Sequence, residues 1–473
     1  MAKGTVYYLV AALIFVLCSY TIHILVARHL GPSLYGVFGV VLSIFSVIDL
    51  FVRSGVGKAV SKFVAEEDCP FTVLRTSLTL QLWISSSVTI LYLLSSDIIA
   101  SLLGDKQLGS YVRISALCIV PYALVSVYNG YLNGLRKFDR EALSSICYSL
   151  IKILIVLILL FVTCNITGVI IGYAISAVIA VFISRQFSVK FMGNCEEALI
   201  PMRRLILYAM PVAIVSITET LLMNIDIFLV KRVLHDNTMT GLYVSAANLA
   251  RIPWHIHGAF YMTLFPSISF AVSKNDFGLA KRSISQSIRY LLIVIMPISF
   301  IISISAPNLI RYFYSGEFVS ASSSLSVLVF GITLISVFIL LTGVSSASGR
   351  PYLSLGLSAL LLPISVGSNL ILIPTYGLFG AALASTAAYG IGVLIAGALV
   401  FRKFGKCVNV LSLCRILIAC FSTWIVVTGE PVSMISMVGR DLLAVLIYII
   451  VLVFLREFTR KDMEVLKGMI KGP

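Results

Sequence analysis

Apolar stretches of about 20 residues recur from one end of this chain to the other, each long enough to cross roughly 30 Å of hydrocarbon. Nothing else in the sequence restricts the fold as much. A backbone in hydrocarbon must satisfy its own hydrogen bonds, so only helices and closed barrels span a membrane. Barrel strands alternate apolar and polar residues over segments of about ten, whereas the runs here are continuous. The chain therefore reads as an all-α, polytopic membrane protein. Its charged fraction, 12% of 473 residues, agrees; a soluble protein carries about 25%.

Fourteen spans are expected, near 6–27, 36–60, 74–96, 111–133, 142–163, 166–187, 205–230, 240–270, 286–306, 321–343, 352–373, 377–401, 411–428 and 436–455. Charge orients them. With both ends cytoplasmic, the inner loops and tails hold 25 Lys and Arg, and the outer loops hold six: Arg28, Lys106, Arg113, Lys231, Arg232 and Arg311. Arg53, Lys152, Arg251 and Arg440 lie within spans. This split follows the positive-inside rule. The net charge of +15 then orients the chain against anionic headgroups rather than marking a nucleic-acid binder. The stretch from Tyr7 to Ala27 is too long for a signal-peptide core and reads as a retained helix. The longest connections, Gln186–Arg204 and the tail after Arg456, are too short for a soluble domain. Nine cysteines, mostly in apolar runs, read as small buried hydrophobes rather than a disulfide frame or a metal site.

The sequence also echoes itself. Aligning Gly36 of "ARHLGPSLYGVFGVVLS" with Gly241 of "VKRVLHDNTMTGLYVSAAN" gives an offset of 205 residues. "NGLRKF" from Asn133 and "ASGRPY" from Ala347 each precede a span, and "NITGVIIGYAIS" from Asn165 resembles "PTYGLFGAALAS" from Pro374. Each match carries an element onto the one six spans later. Six is even, so the copies share one orientation: a parallel repeat about an axis along the membrane normal. Residues 1–190 and 205–405 are then two six-helix lobes, and 406–473 adds two helices and a basic cytoplasmic tail.

The same motifs resemble a known family. "ARHLGPSLYGVFGVVLSIF", "AMPVAIVSITETLLMNIDIFLV" with "GLYVSAANLARI", and "LIPTYGLFGAALAS" are similar to the polysaccharide transporter family, the Wzx-like oligosaccharide flippases. Their superfamily also holds multidrug exporters and the peptidoglycan-precursor flippase. The resemblance implies a MATE-like fold with two lobes around a central cavity. It further implies that a lipid-linked oligosaccharide moves from the cytoplasmic to the outer leaflet by alternating access. Twelve spans are common in the family; fourteen also suit the peptidoglycan-precursor flippase.

Charges inside spans mark the candidate chemistry, because each costs roughly 2.5–3.5 kcal/mol at a helix centre. Asp49 and Arg53 are spaced i, i+4 on the second span. Either they pair, with Arg53 reaching toward the cytoplasm, or both face a water-filled cavity where Arg53 meets an anionic headgroup. Arg251, in the eighth span, shares a face with His255, and Pro253 leaves the carbonyl of residue 249 in need of a partner. Arg251 satisfies such carbonyls or serves as a second anion ligand, a guanidinium being suited to pyrophosphate oxygens. Glu219 and Asp226, two turns apart on the seventh span, are candidates for coupling to Na⁺ or H⁺. Lys152 supports the site or snorkels, and His23 reads as buried polar packing. The glycines of "GLFGAALAS" read as close helix packing. His255 and His257, at i, i+2, do not share a helix face and make no zinc site. No nucleotide-binding loop, H-E-x-x-H or other enzyme motif is present, and no cofactor is expected.

The expected protein is a monomeric, multi-pass exporter of the cytoplasmic membrane, not an enzyme. Its expected partners are membrane lipids and an anionic, phosphate- or pyrophosphate-linked lipid bearing sugars, with Arg53 and Arg251 as an anion site drawn from the two lobes. The rivals are a cation-coupled multidrug antiporter and a peptidoglycan-precursor (lipid II) flippase. A membrane glycosyltransferase is the alternative of a different class.

Overall fold

The computed structural model describes residues 2–192, 200–427 and 433–457, and among them no strand occurs. Ten helices of the described residues are long and apolar enough to cross a membrane. Two of these are each broken once by a glycine. The chain divides into two compact units, 1–241 and 242–473.

In the first unit, α1 (Ala2–Glu66) holds the first two expected spans. Its break is Gly31, at φ 76, followed by Pro32, which cannot continue the hydrogen-bond ladder. α2 (Pro70–Leu102) begins on a proline, whose missing N–H is no loss in a first turn. Then come α3 (Leu108–Ser115), α4 (Ile119–Gly134), α5 (Phe138–Thr163), α6 (Ile166–Val189) and α7 (Met202–Leu234). α8 (Asn237–Ala250) starts here. Val56, Val60 and Phe63 of α1 form a core with Val73 and Leu74 of α2, Tyr131 of α4 and Leu205 of α7. Near the start of α5, Glu141 accepts from Tyr8 and Asn133, and Ser61 donates to Asn133 at 2.6 Å. Asn133 of the "NGLRKF" motif therefore ties α1, α4 and α5 together.

The repeat leaves a physical trace in this unit. A Cβ on Gly36 would stand 2.1 Å from the Asn237 carbonyl oxygen and 2.7 Å from the Gly241 nitrogen. A Cβ on Gly241 would stand 1.9 Å from the Pro32 carbonyl oxygen and 2.9 Å from the Gly36 nitrogen. Pro32 corresponds to Asn237 by the same offset that relates Gly36 to Gly241. The same close contact is thus read from both glycines. No side chain fits there, so both positions need glycine. Close by, the Lys231 ammonium at the end of α7 holds Asp105 of the α2–α3 loop at 2.6 Å and also donates to Asn237. Burial raises the Asp105 pKa, but the hydrogen bond and charge of Lys231 outweigh it and hold the carboxyl below its usual range.

The second unit runs through α9 (Trp254–Ser273), α10 (Phe277–Ile304), α11 (Ala306–Phe313), α12 (Ser322–Ala347), α13 (Pro351–Phe404), α14 (Val410–Val427) and α15 (Met434–Phe454). α12 is apolar all round and mostly buried, as a helix enclosed by others should be. α13 holds two expected spans, broken at Gly377 with φ 56. Three residues on, a Cβ on Gly380 would meet the Leu372 carbonyl oxygen at 2.1 Å, so the "GLFGAALAS" glycines build a turn and a close approach. α14 and α15 dock on α10. Ile293 packs with Ile416, Ala419 and Tyr448, and the Tyr448 hydroxyl donates to the Ile293 carbonyl at 2.9 Å. Polar clusters fasten both ends: Arg440 reaches Ser305 and the Val427 carbonyl, and Glu457 receives Arg289 and Arg415.

The fourteen expected spans fall on these helices, with two corrections. The stretch 240–270 is two helices, α8 and α9, separated at Arg251–Pro253. Residue 428, the last of the thirteenth span, lies outside the described residues. Among the described residues, seven cysteines are free thiols. Cys69 departs from the sequence reading and is disulfide-bonded. It stands at the N-cap of α2, in a loop, where burial in an apolar run does not govern it.

Candidate functional site

The interior of the first unit carries a polar core built on α1, α4, α5 and α6. Spacing on α1 brings Arg53 and Asp49 together at 2.9 Å. The Asp49 side chain is 11% exposed, whereas Arg53 keeps 39% of its side-chain surface open. Arg53 also lies 5.8 Å from the centre of the Tyr122 ring on α4. The Tyr122 hydroxyl shares a short hydrogen bond with the Tyr148 hydroxyl of α5, their rings meeting edge to face at 5.8 Å.

Lys152 follows Tyr148 by one helical turn and is 3% exposed. It does not snorkel, which corrects that alternative. Its ammonium sits 4.6 Å from the Phe15 ring, 5.4 Å from Tyr148 and 5.5 Å from Tyr173, and donates to the Ser19 hydroxyl at 3.2 Å. Among the described residues no carboxylate pairs with it. Ring faces carry negative potential and stabilise a desolvated cation. The core therefore holds two cations and one carboxylate. Its aromatic wall of Tyr122, Tyr148 and Tyr173 escaped the sequence reading. The i, i+4 pair Tyr148 and Lys152 was the signal that pointed to it.

The carboxylates of α7 have unlike settings. Glu219 is half-buried, with Lys58 of α1 acting on it electrostatically. Asp226 is 2% exposed, and one carboxylate oxygen accepts from the Ile227 amide at 2.8 Å. His23 packs as expected, its Nδ1 3.2 Å from the Tyr35 hydroxyl and its ring against Phe38.

In the second unit, Arg251 is not inside a helix. Arg251, Ile252 and Pro253 form the turn between α8 and α9, because proline cannot carry the ladder onward. The Ile252 amide donates to the Leu249 carbonyl at 3.2 Å, so the carbonyl expected to need a partner has one. Arg251 lies in this turn and His255 in the first turn of α9, and the Arg251 charge acts on His255 electrostatically. Arg251 is half-buried and His255 exposed. His257 is 7% exposed and stacks on Trp254 at 4.6 Å. No group of three or more metal-ligating side chains occurs among the described residues.

A chain of many apolar helices, a broken α1 and α13, and a cationic core in the membrane region can now be compared with known proteins. A family profile described as polysaccharide biosynthesis protein matches residues 25–323. The probable low-salt glycan biosynthesis flippase Agl15 of Haloferax volcanii is 22% identical over 369 residues, 78% of this chain and 77% of that one. The lipid II flippase MurJ in an inward closed conformation superposes with a TM-score of 0.76 at 16% identity, over 97% of this chain and 99% of that one. An inward-facing multidrug resistance MATE transporter superposes with a TM-score of 0.70 at 18% identity, over 82% and 94%. These two likenesses establish the MATE-like fold, and the profile spans more than half of the chain. The chain belongs to the polysaccharide biosynthesis protein family.

Proposed function

We propose that this protein flips a lipid-linked oligosaccharide, carried on a phosphate or pyrophosphate, from the inner to the outer leaflet of the cytoplasmic membrane, and that it does so as a transporter rather than an enzyme. The observation that carries the reading is the charge of the tyrosine-walled core. Two cations face one carboxylate, and Arg53 keeps surface free beyond its bond to Asp49. A site of that sign favours an anion. It suits a cationic drug poorly, which weighs against a multidrug antiporter. Arg53 offers parallel donors to phosphate oxygens, and Asp49 holds it in place when the site is empty. Arg251 is a second cation for the same chemistry, tested separately. Glu219 and Asp226 are the groups through which H⁺ or Na⁺ would couple. The named relatives support the reading: one is a probable glycan biosynthesis flippase and another a lipid II flippase. Both ends of the chain are cytoplasmic in this proposal, and the protein works as a monomer.

The test is binding of a polyprenyl-diphosphate-linked oligosaccharide to the purified protein. Arg53→Ala should weaken it by at least about tenfold, the scale of one lost charge-assisted contact. Arg53→Lys should recover part of it, because an ammonium is a point donor. Asp49→Asn should cost less than Arg53→Ala. Arg251→Ala should weaken binding in its own right. Wild-type affinity in a folded Arg53→Ala protein would remove the anion role.

A further inference from the structure

The break at Gly377 makes α13 a hairpin, so its first and last turns return to the same end of the second unit. Between them and the end of α12 lies a recess of about 330 Å³. Arg350, Arg402 and Lys403 line it, with Ser345 and Ser348 beside them and apolar walls that include Leu353. Lys281 comes close as well, its Nζ 3.6 Å from where a side chain on Gly405 would begin.

Two other cation clusters among the described residues have acids. Arg204 meets Glu66 and Glu67, and Arg289 and Arg415 meet Glu457. Among the described residues, no carboxylate pairs with Arg350, Arg402 or Lys403. Arg350 acts electrostatically on Lys403, so the cluster repels itself when empty. Arg350 is also the N-cap of α13, where the helix dipole disfavours a cation. The positive-inside rule accounts for cations at this end of the chain's helices. It gives no reason for three of them to converge, without an acid, on one recess with apolar walls. An anion with an apolar attachment satisfies every part. Guanidiniums and an ammonium bind phosphate oxygens, serine hydroxyls donate to the remainder, and the walls take the adjoining chain.

We propose that this recess binds the phosphate headgroup of a membrane lipid, on the side that the charge distribution assigns to the cytoplasm. Two lipids carry that chemistry, an anionic phospholipid of the bilayer and a polyprenyl phosphate carrier. The site is separate from the Arg53 core, and its test reads binding, not flipping.

The experiment is native mass spectrometry of the full-length protein with phosphatidylglycerol, phosphatidylcholine and a polyprenyl monophosphate. Wild type should retain one or both of the anionic lipids over phosphatidylcholine. Arg350→Gln/Arg402→Gln/Lys403→Gln should lose that preference by at least about tenfold. A control removing Arg136, Lys137 and Arg140 in the same way should keep it. Loss of both lipids identifies a site for bulk headgroups, and loss of the polyprenyl phosphate alone identifies a carrier site; either supports phosphate recognition. Thermal melting checks that the triple variant is folded, and the single variants Arg350→Gln and Arg402→Gln keep the question decidable if it is not. Wild-type retention of both lipids by the folded variant, equal loss in the control, or no preference over phosphatidylcholine in wild type would overturn the proposal.

Discussion

An ammonium buried without a carboxylate is costly in hydrocarbon, and Lys152 offsets that cost with three ring faces and one hydroxyl. The arrangement places a basic group in the core that, among the described residues, pairs with no carboxylate. Arg53 differs: Asp49 fixes one side of its guanidinium and leaves the other open. The pair sets the position of the charge, and Lys152 sets the sign of its surroundings. Replacing Lys152 by Met keeps the aliphatic volume against the rings and removes the charge. Because a buried charge adds little net stability over an apolar isostere, the melting temperature of Lys152→Met should be unchanged or raised. Binding of the diphosphate-linked oligosaccharide should fall at the same time. A lower melting temperature with unchanged binding would make Lys152 a packing residue only. The location of Asp49 and Arg53 was legible in the sequence, since a charge in an apolar run is conspicuous. The tyrosines around them were not, because aromatic residues fill any membrane helix and only the tertiary fold turns Tyr122 toward Arg53 and Tyr148 and Tyr173 toward Lys152.

Helix breaks set the architecture at the scale of elements. Gly31–Pro32 and Gly377 each divide a long helix into two spans, and Arg251–Pro253 separates α8 from α9. The sequence announced the first two through glycine-rich turns at expected span boundaries. It misplaced the third, because apolar periodicity continues through 240–270 and hides a turn made by a single proline. Arg251 consequently lies at a turn rather than inside a helix. The crossing of Gly36 and Gly241 was half legible. Alignment paired these residues, but nothing in the alignment said that they touch. Gly36→Ala and Gly241→Ala should each destabilise the protein by more than the roughly 1–3 kcal/mol of ordinary overpacking, since the obstructing atoms are backbone carbonyls. The two losses should be alike, as the reciprocal contact requires. Gly367→Ala, where nothing lies within 4 Å, should be near neutral. Thermal melting in one detergent checks all three, and tolerance of Gly36→Ala would contradict the packing.

For the molecule as a whole, the chain is a multi-pass helical membrane protein, and the proposed orientation follows its charge distribution. The direction carries a test of its own. Cysteines introduced at Ser110 and Tyr376 should label from outside intact cells, and those at Lys137 and Arg282 only after permeabilisation. Reversed labelling would reverse the proposed direction of transport. Composition and apolar run length made the polytopic class legible, and motif offsets made the repeat legible. Substrate identity was not legible, because phosphate, pyrophosphate and sugar recognition all draw on the same few donors, placed by tertiary structure. The central claim is that the cationic core serves translocation of an anionic lipid-linked sugar, and reconstitution tests it most directly. In proteoliposomes holding a fluorescent polyprenyl-diphosphate-linked oligosaccharide, the wild-type protein should move the lipid between leaflets, read as its accessibility to an external quencher. Folded Arg53→Ala protein at equal density should move it no faster than protein-free liposomes do. Wild-type rates in that variant, or no movement by the wild type with ion gradients of either sign, would contradict the account.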